Sequence, residues 1–202
     1  RVAMTAYGAA ETAAMLDFLR PTRMFIPALL AALCGLRRGE ILALRWRNVD
    51  LKTAVLSIVA SAEQVGTEVR YKETKSGKAR TVALSSTVLE ELRRHKAAQA
   101  EEQLKIGIRP DKDSFVVAQA DGNPLKPISL THEWTRQIGK TTLPQIRFHD
   151  LDPVFARPGA YAPGVRLSDT LPEGLIYELG SSSIDSEDLN GSGSLDPGED
   201  LN

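Results

Sequence analysis

The sequence is poor in the groups that most readily announce a chemistry. It holds one cysteine, Cys34, among 202 residues, so no internal disulfide can form and there is little basis for a cysteine-built metal site. Between Leu33 and Gly35, that cysteine reads as a small core residue. No run of 18 apolar residues occurs, which argues against a membrane-spanning helix. No charged stretch precedes an apolar one in the manner of a secretory signal. The first residue is arginine rather than methionine, which leaves a removed leader open.

Net charge is almost absent too, at −1, but the balance conceals a division after Leu151. Residues 1–151 carry 23 Lys and Arg against 16 Asp and Glu, giving +7; residues 152–202 carry 2 against 10, giving −8. A basic body suits a polyanionic partner such as nucleic acid, whereas an acidic tail would be repelled by one. Five of the 11 prolines and seven of the 15 glycines also lie after Leu151, where no helical period survives. We therefore expect two units: a body over 1–151 with its own core, and an acidic tail over 152–202 of irregular β structure or disorder. The change at 151/152 reads equally as a fusion or as a hybrid reading frame.

Within the body, Glu11 to Leu19 and Met24 to Leu33 have helical spacing. A short helix follows Gly35, with Ile41, Leu42 and Leu44 on its apolar side. Val55 to Val59, Glu68 to Tyr71 and Arg80 to Leu84 read as strands, with Lys75-Ser76-Gly77 as the turn joining the last two in an edge hairpin. Thr87 and Glu90 form a capping-box pattern opening a helix towards Leu104, with Arg93, Arg94 and Lys96 facing solvent. Ser114 to Val117 reads as a short strand and Ser129 to Ile138 as a last helix. The expected fold is mixed α+β: mainly helical around a small antiparallel sheet.

Three motifs carry chemistry. Arg37 lies in Gly35-Leu36-Arg37-Arg38-Gly39-Glu40, Lys75 in the stretch from Thr74 to Leu84, and His149 in Ile146-Arg147-Phe148-His149-Asp150-Leu151. Breaking a phosphodiester without metal requires fixed cations where charge grows on the non-bridging oxygens, and arginine supplies a permanent charge on a planar fork. Each residue also has a plainer reading. Arg37 would simply pair with Glu40 one turn on, Lys75 would be a turn lysine with Lys72 and Lys78 as competitors, and His149 would be a packed histidine. His95 and His132 lie in no motif and read as surface residues.

Taken in order, the three motifs resemble the catalytic domain of tyrosine recombinases, the phage integrase family, over about residues 10–151. The resemblance implies that Arg37 grips the scissile phosphate, Lys75 protonates the leaving 5′-oxygen and His149 assists by hydrogen bonding or proton transfer. A tyrosine then attacks phosphorus and stores the bond as a phosphotyrosine. It implies duplex DNA as partner, contacted by Arg37, Arg38, Lys75, Lys78 and Arg80. It also implies no cofactor for recombination, a cytoplasmic bacterial or phage setting, and a tetramer in full-length members. The match breaks at Asp152, which occupies the place of the family's second catalytic arginine, where a carboxylate would repel the phosphate. Tyr161 and Tyr177 come too early, in proline-rich sequence, for the nucleophile, so strand cleavage by this chain is not expected.

The tail has its own pattern. Val165 to Tyr177 resembles the strand-turn-strand signature of β-sandwich repeats in bacterial surface proteins. Asp188, Asn190, Ser192, Ser194, Asp196 and Glu199 fall at the ligand positions of an EF-hand-like calcium loop, with Gly193 at its sharp turn. The competing reading is therefore an extracellular calcium-binding adhesion module, against the plainer view of a solvated acidic linker.

Overall fold

In the computed structural model, the described residues are 7–73 and 80–151. The first helix, α1 (Ala9–Leu19), opens where the Gly8 N–H donates to Glu11 Oε2 at 2.7 Å, and it buries Met15 and Leu19. Helix α2 (Phe25–Cys34) is apolar almost all round, and Phe25 to Ala32 are all buried. Such a helix belongs in the middle of a domain, and α1, α4 (Ser86–Lys105) and α3 (Arg38–Ala43) all pack against it.

What ends α2 also sets up the site. Gly35 is left-handed, φ 63° and ψ 29°, so its own N–H reaches the Ala31 carbonyl and that of Leu36 reaches Leu30. This is a Schellman stop, which a glycine adopts without a Cβ penalty. The chain turns sharply there, runs extended through Arg37 and re-enters helix at Arg38.

The strands differ from expectation. β1 (Val49–Asp50), β2 (Val55–Ile58) and β5 (Arg80–Ala83) form one antiparallel sheet with β2 in the middle, Leu56 opposite Val82. β3 (Ala60–Val65) and β4 (Glu68–Glu73) form a separate antiparallel pair. The hairpin therefore lies between β3 and β4, not between the strands flanking Lys75. Its two-residue loop places Gly66 at φ 61°, the conformation a tight hairpin turn asks of its first residue. The run Ala-Ser-Ala-Glu-Gln-Val of β3 escaped the sequence reading because most of it has weak β-preference. It is a strand because β4 pairs with it and α3 covers it.

The cap of α4 is Ser85, two residues before the expected Thr87, and its Oγ accepts the Val88 N–H at 3.4 Å. Residues 114–117 do not make a regular strand. Phe115 bridges to Arg45, and backbone bonds from Trp46 to Ser114 and from Val116 to Leu44 stitch the segment beside the end of α3. The last helix, α5 (Pro127–Ile138), starts with proline at its first position and buries Leu130, Trp134 and Ile138. One continuous core joins all these elements. Among the described residues no helix is long and apolar enough to cross a membrane.

Candidate phosphate-binding site

Arg37 stands at the N-cap of α3, extended at φ −72° and ψ 152°, with its side chain exposed. Its backbone N–H donates to Glu40 Oε2 at 2.7 Å. The plainer reading, an ion pair between Arg37 and Glu40, is overturned. The Glu40 carboxylate is buried and its ion-pair partner is Arg80, whose guanidinium donates to Oε2 at 2.8 Å. Among the described residues no side chain pairs with the Arg37 guanidinium, so its fork remains available to an anion.

The neighbouring cations are committed to the scaffold. Arg38 donates to Thr131 Oγ1 at 2.7 Å, and that hydroxyl passes its own hydrogen to the Pro127 carbonyl at 3.0 Å, tying α3 to the first turn of α5. Arg80 spends one nitrogen on both Glu40 and the Gly35 carbonyl, at 3.1 Å for the latter. Lys72 is in an ion pair with Glu63 on the β3–β4 hairpin. Lys75 and Lys78 lie outside the described residues, as do Asp152, Tyr161, Tyr177 and the six tail positions from Asp188 to Glu199 read as calcium ligands. Among the described residues, no three His, Cys, Asp or Glu side chains gather as a metal site.

His149 sits on a 3₁₀ turn, Phe148–Asp150, that is anchored from below and open above. Phe148 is buried, its ring meeting Trp134 edge-on at 5.4 Å and 84°, and the Trp134 indole N–H donates to the Ile146 carbonyl at 2.8 Å. On the outer side, Arg147 grips Asp150 through Nε to Oδ2 at 2.8 Å and a terminal nitrogen to Oδ1 at 2.9 Å. The Arg147 hydrogen bond is the main reason the Asp150 carboxyl titrates below the usual range. His149 Nε2 is 3.7 Å from Asp150 Oδ1, too far for a hydrogen bond, and the imidazole is 60% exposed. It is not the packed histidine of the plainer reading. Because α5 packs against both α3 and this 3₁₀ turn, one helix braces the elements that carry Arg37 and His149.

The histidine that is packed is His95, expected at the surface. Its Nε2–H donates to the Val116 carbonyl at 2.7 Å, and its ring lies 6.0 Å from that of Trp46. Beside it, Gln99 accepts from the Trp46 indole at 2.7 Å and donates to the Phe115 carbonyl at 3.1 Å, so α4 holds the 114–117 segment by side chains. Nothing in the sequence around His95 signals this, because its partners are backbone and ring atoms distant in the chain. Burial holds the imidazole below its ordinary 6.5, outweighing the opposing hydrogen bond to Val116. The folded protein therefore favours neutral His95, and the unfolded chain takes up the proton first as pH falls. Stability linked to this group is full above the unfolded value and is lost as pH drops through the lower folded one. The melting midpoint should fall more between about pH 7.5 and about pH 5 in the native chain than in His95→Gln. Equal falls would show that the acid sensitivity lies elsewhere.

Burial also pushes the Cys34 thiol up to about 12, so it stays protonated and inert at neutral pH, as a core residue should. A cavity of about 770 Å³ opens between the α1–α2 turn and α4, edged by the Arg20–Glu91 and Arg23–Glu102 ion pairs. None of Arg37, Arg38, Arg80 or His149 lines it. Arg37 and His149 are instead both exposed at the surface.

A sequence profile described as the phage integrase family matches residues 9–157, a span that begins at the first residue of α1 and runs past Leu151. Among curated proteins, the chain is 27% identical over 154 residues to a protein described as "Tyrosine recombinase XerC-like" from Caldanaerobacter subterraneus subsp. tengcongensis, covering 69% of this chain and 39% of that one. It is 28% identical over 170 residues to the integrase of Mycobacterium phage L5, covering 79% and 44%. The chain therefore spans well under half the length of these curated relatives. Among solved structures, it is similar to the Tn1549 transposon integrase in complex with transposon right end DNA, with a TM-score of 0.62 at 15% identity, over 75% of this chain and 51% of that one. The XerA recombinase gives a TM-score of 0.56 at 15% identity, over 73% and 47%. At these identities the structural likeness is one of fold.

Proposed function

The chain belongs to the phage integrase family, and from that premise we propose that residues 7–151 form the phosphate-gripping body of a DNA strand-exchange enzyme. Arg37 is the principal contact to the phosphate in duplex DNA. The observation that carries this is an exposed guanidinium, unpaired among the described residues, on a loop whose backbone is fixed from behind by a buried carboxylate. An arginine placed so loses little entropy on binding, and its fork matches two phosphate oxygens.

The remaining roles are assigned by the family resemblance. Lys75, two residues past the end of β4 at Glu73 and before β5 begins at Arg80, is the proton donor to the leaving 5′-oxygen. His149, exposed on its braced turn, assists at the phosphate. Lys78 adds a contact to the DNA backbone, while Arg38, held on Thr131, braces α3 against α5. No metal takes part, since charge stabilisation falls to the arginine and lysine. The setting is the cytoplasm of a bacterium or of a phage-infected cell, and full-length strand exchange would take place in a tetramer on two duplexes. With Asp152 where the family has its second arginine, and with no suitably placed tyrosine, this chain grips DNA without completing cleavage.

Duplex affinity measured across a salt series tests the grip. Arg37→Ala should weaken binding about ten-fold or more and lower the slope of log affinity against log salt by about 1. An unchanged slope and affinity would remove Arg37 from the interface.

A further inference from the structure

We propose that Arg80 is a positioning residue that acts through Glu40 and Gly35 to set the Arg37 loop, rather than a contact to DNA. The inference rests on the reading of Arg37 as the phosphate contact, and it deepens that reading. Arg80 donates from a single guanidinium nitrogen to the Glu40 carboxylate at 2.8 Å and to the Gly35 carbonyl at 3.1 Å. Glu40 in turn accepts the Arg37 N–H at 2.7 Å through the same oxygen, Oε2, that receives Arg80. Gly35 and Glu40 lie on either side of Arg37, so one cation holds both ends of the turn that presents it.

The burial of the parts agrees with a clamp. The Glu40 side chain is 8% exposed and that of Arg80 47%, so the carboxylate is sunk into the fold and Arg80 closes over it from the solvent side. Without that cation, a buried carboxylate would be left with the Arg37 N–H and no counter-charge, and it would turn outward towards water. The Arg37 N–H would then lose its acceptor and the extended backbone at Arg37 its restraint. Position in the chain adds a second consequence. Arg80 is the first residue of β5, directly after residues 74–79, and β5 is held in register by β2 with Ile58 opposite Arg80. β5 is therefore locked at its first residue to the Arg37 loop through Arg80.

A direct contact and a clamp predict different results in the full 202-residue chain. In Arg80→Gln, amide exchange at Arg37 should accelerate about ten-fold or more as its acceptor swings free; unchanged protection of that amide would overturn the clamp, with no DNA in the experiment. Binding to a fluorescein-labelled duplex of arbitrary sequence gives the second readout. Arg80→Gln should weaken binding in the native background yet add nothing in the Arg37→Ala background, because a residue acting through Arg37 has no effect once that side chain is gone. Additive losses, with a further fall of about 1 in the salt slope of the double variant, would make Arg80 a phosphate contact and overturn the proposal. Arg80→Lys keeps the counter-charge and donors for both acceptors, so it should restore much of the Arg37 amide protection lost in Arg80→Gln; protection no better than in Arg80→Gln would count against the clamp. If Arg37→Ala alone leaves binding unchanged, the phosphate reading fails, while the exchange measurement still decides whether Arg80 holds the loop.

Discussion

Replacing Trp134 with alanine should cost about 3–5 kcal/mol of folding stability, the range for removing a fully buried large aromatic. Trp134 is 1% exposed and among the largest fully buried side chains. Its loss opens a void beneath α5, removes the edge contact to Phe148 at 5.4 Å and strips the Ile146 carbonyl of its indole donor at 2.8 Å. The last two bonds hold the segment that ends in His149, so damage should be concentrated there as well as in global stability. Urea denaturation followed by circular dichroism gives the first quantity, since Trp46 would complicate a fluorescence signal. Trp134→Phe separates the contributions: it keeps most of the ring volume and forfeits the hydrogen bond, and should cost about 1–3 kcal/mol. A loss below about 1 kcal/mol for the alanine variant would mean that α5 is not the brace described here.

Gly39→Ala should cost about 1–3 kcal/mol, and more if the backbone cannot shift. Gly39 lies in α3 where the helix rests on β3, and an added Cβ would fall 2.6 Å from the Ala62 carbonyl oxygen and 2.4 Å from Ser61 Oγ. The serine can rotate away, but the carbonyl belongs to a strand paired with β4 and cannot move independently. Relief requires α3 to lift off the hairpin, which displaces Arg37 at one end of the helix and Glu40 one residue on. The variant should therefore lose duplex affinity beyond what its lowered melting midpoint accounts for. Native affinity in a folded Gly39→Ala protein would show that the α3–β3 contact is dispensable for the site.

The residues of the site were legible in the sequence to the extent that their chemistry is local. Gly35-Leu36-Arg37 could be read as a helix stop followed by an arginine at the mouth of the next helix, and the structure shows a left-handed Gly35 with Arg37 at the N-cap. What Glu40 does could not be read from spacing. Three residues from Arg37, it matches a local ion pair, yet it meets Arg80 from a strand 40 positions away. Lone polar residues behaved likewise: His95 carries no pattern around it and becomes half-buried because it packs against Trp46 and bonds the Val116 carbonyl.

By itself the sequence determined the helical elements, the division of charge about Leu151 and the family to which the chain belongs, because each depends on residue type, short-range periodicity or motif order. The pairing of strands was decided by the tertiary structure. Ala60 to Val65 has too little β-preference to declare itself, and it becomes a strand because Gly66 permits a two-residue turn and α3 covers one face. The division of labour among the arginines was decided there as well. Arg37, Arg38 and Arg80 are alike as residues, and only packing distinguishes them: Arg38 is spent on Thr131, Arg80 on Glu40 and Gly35, and Arg37 alone of the three is left to face an anion. A cation's role depends on whether the fold supplies it with a partner, and that supply comes from residues far apart in the chain.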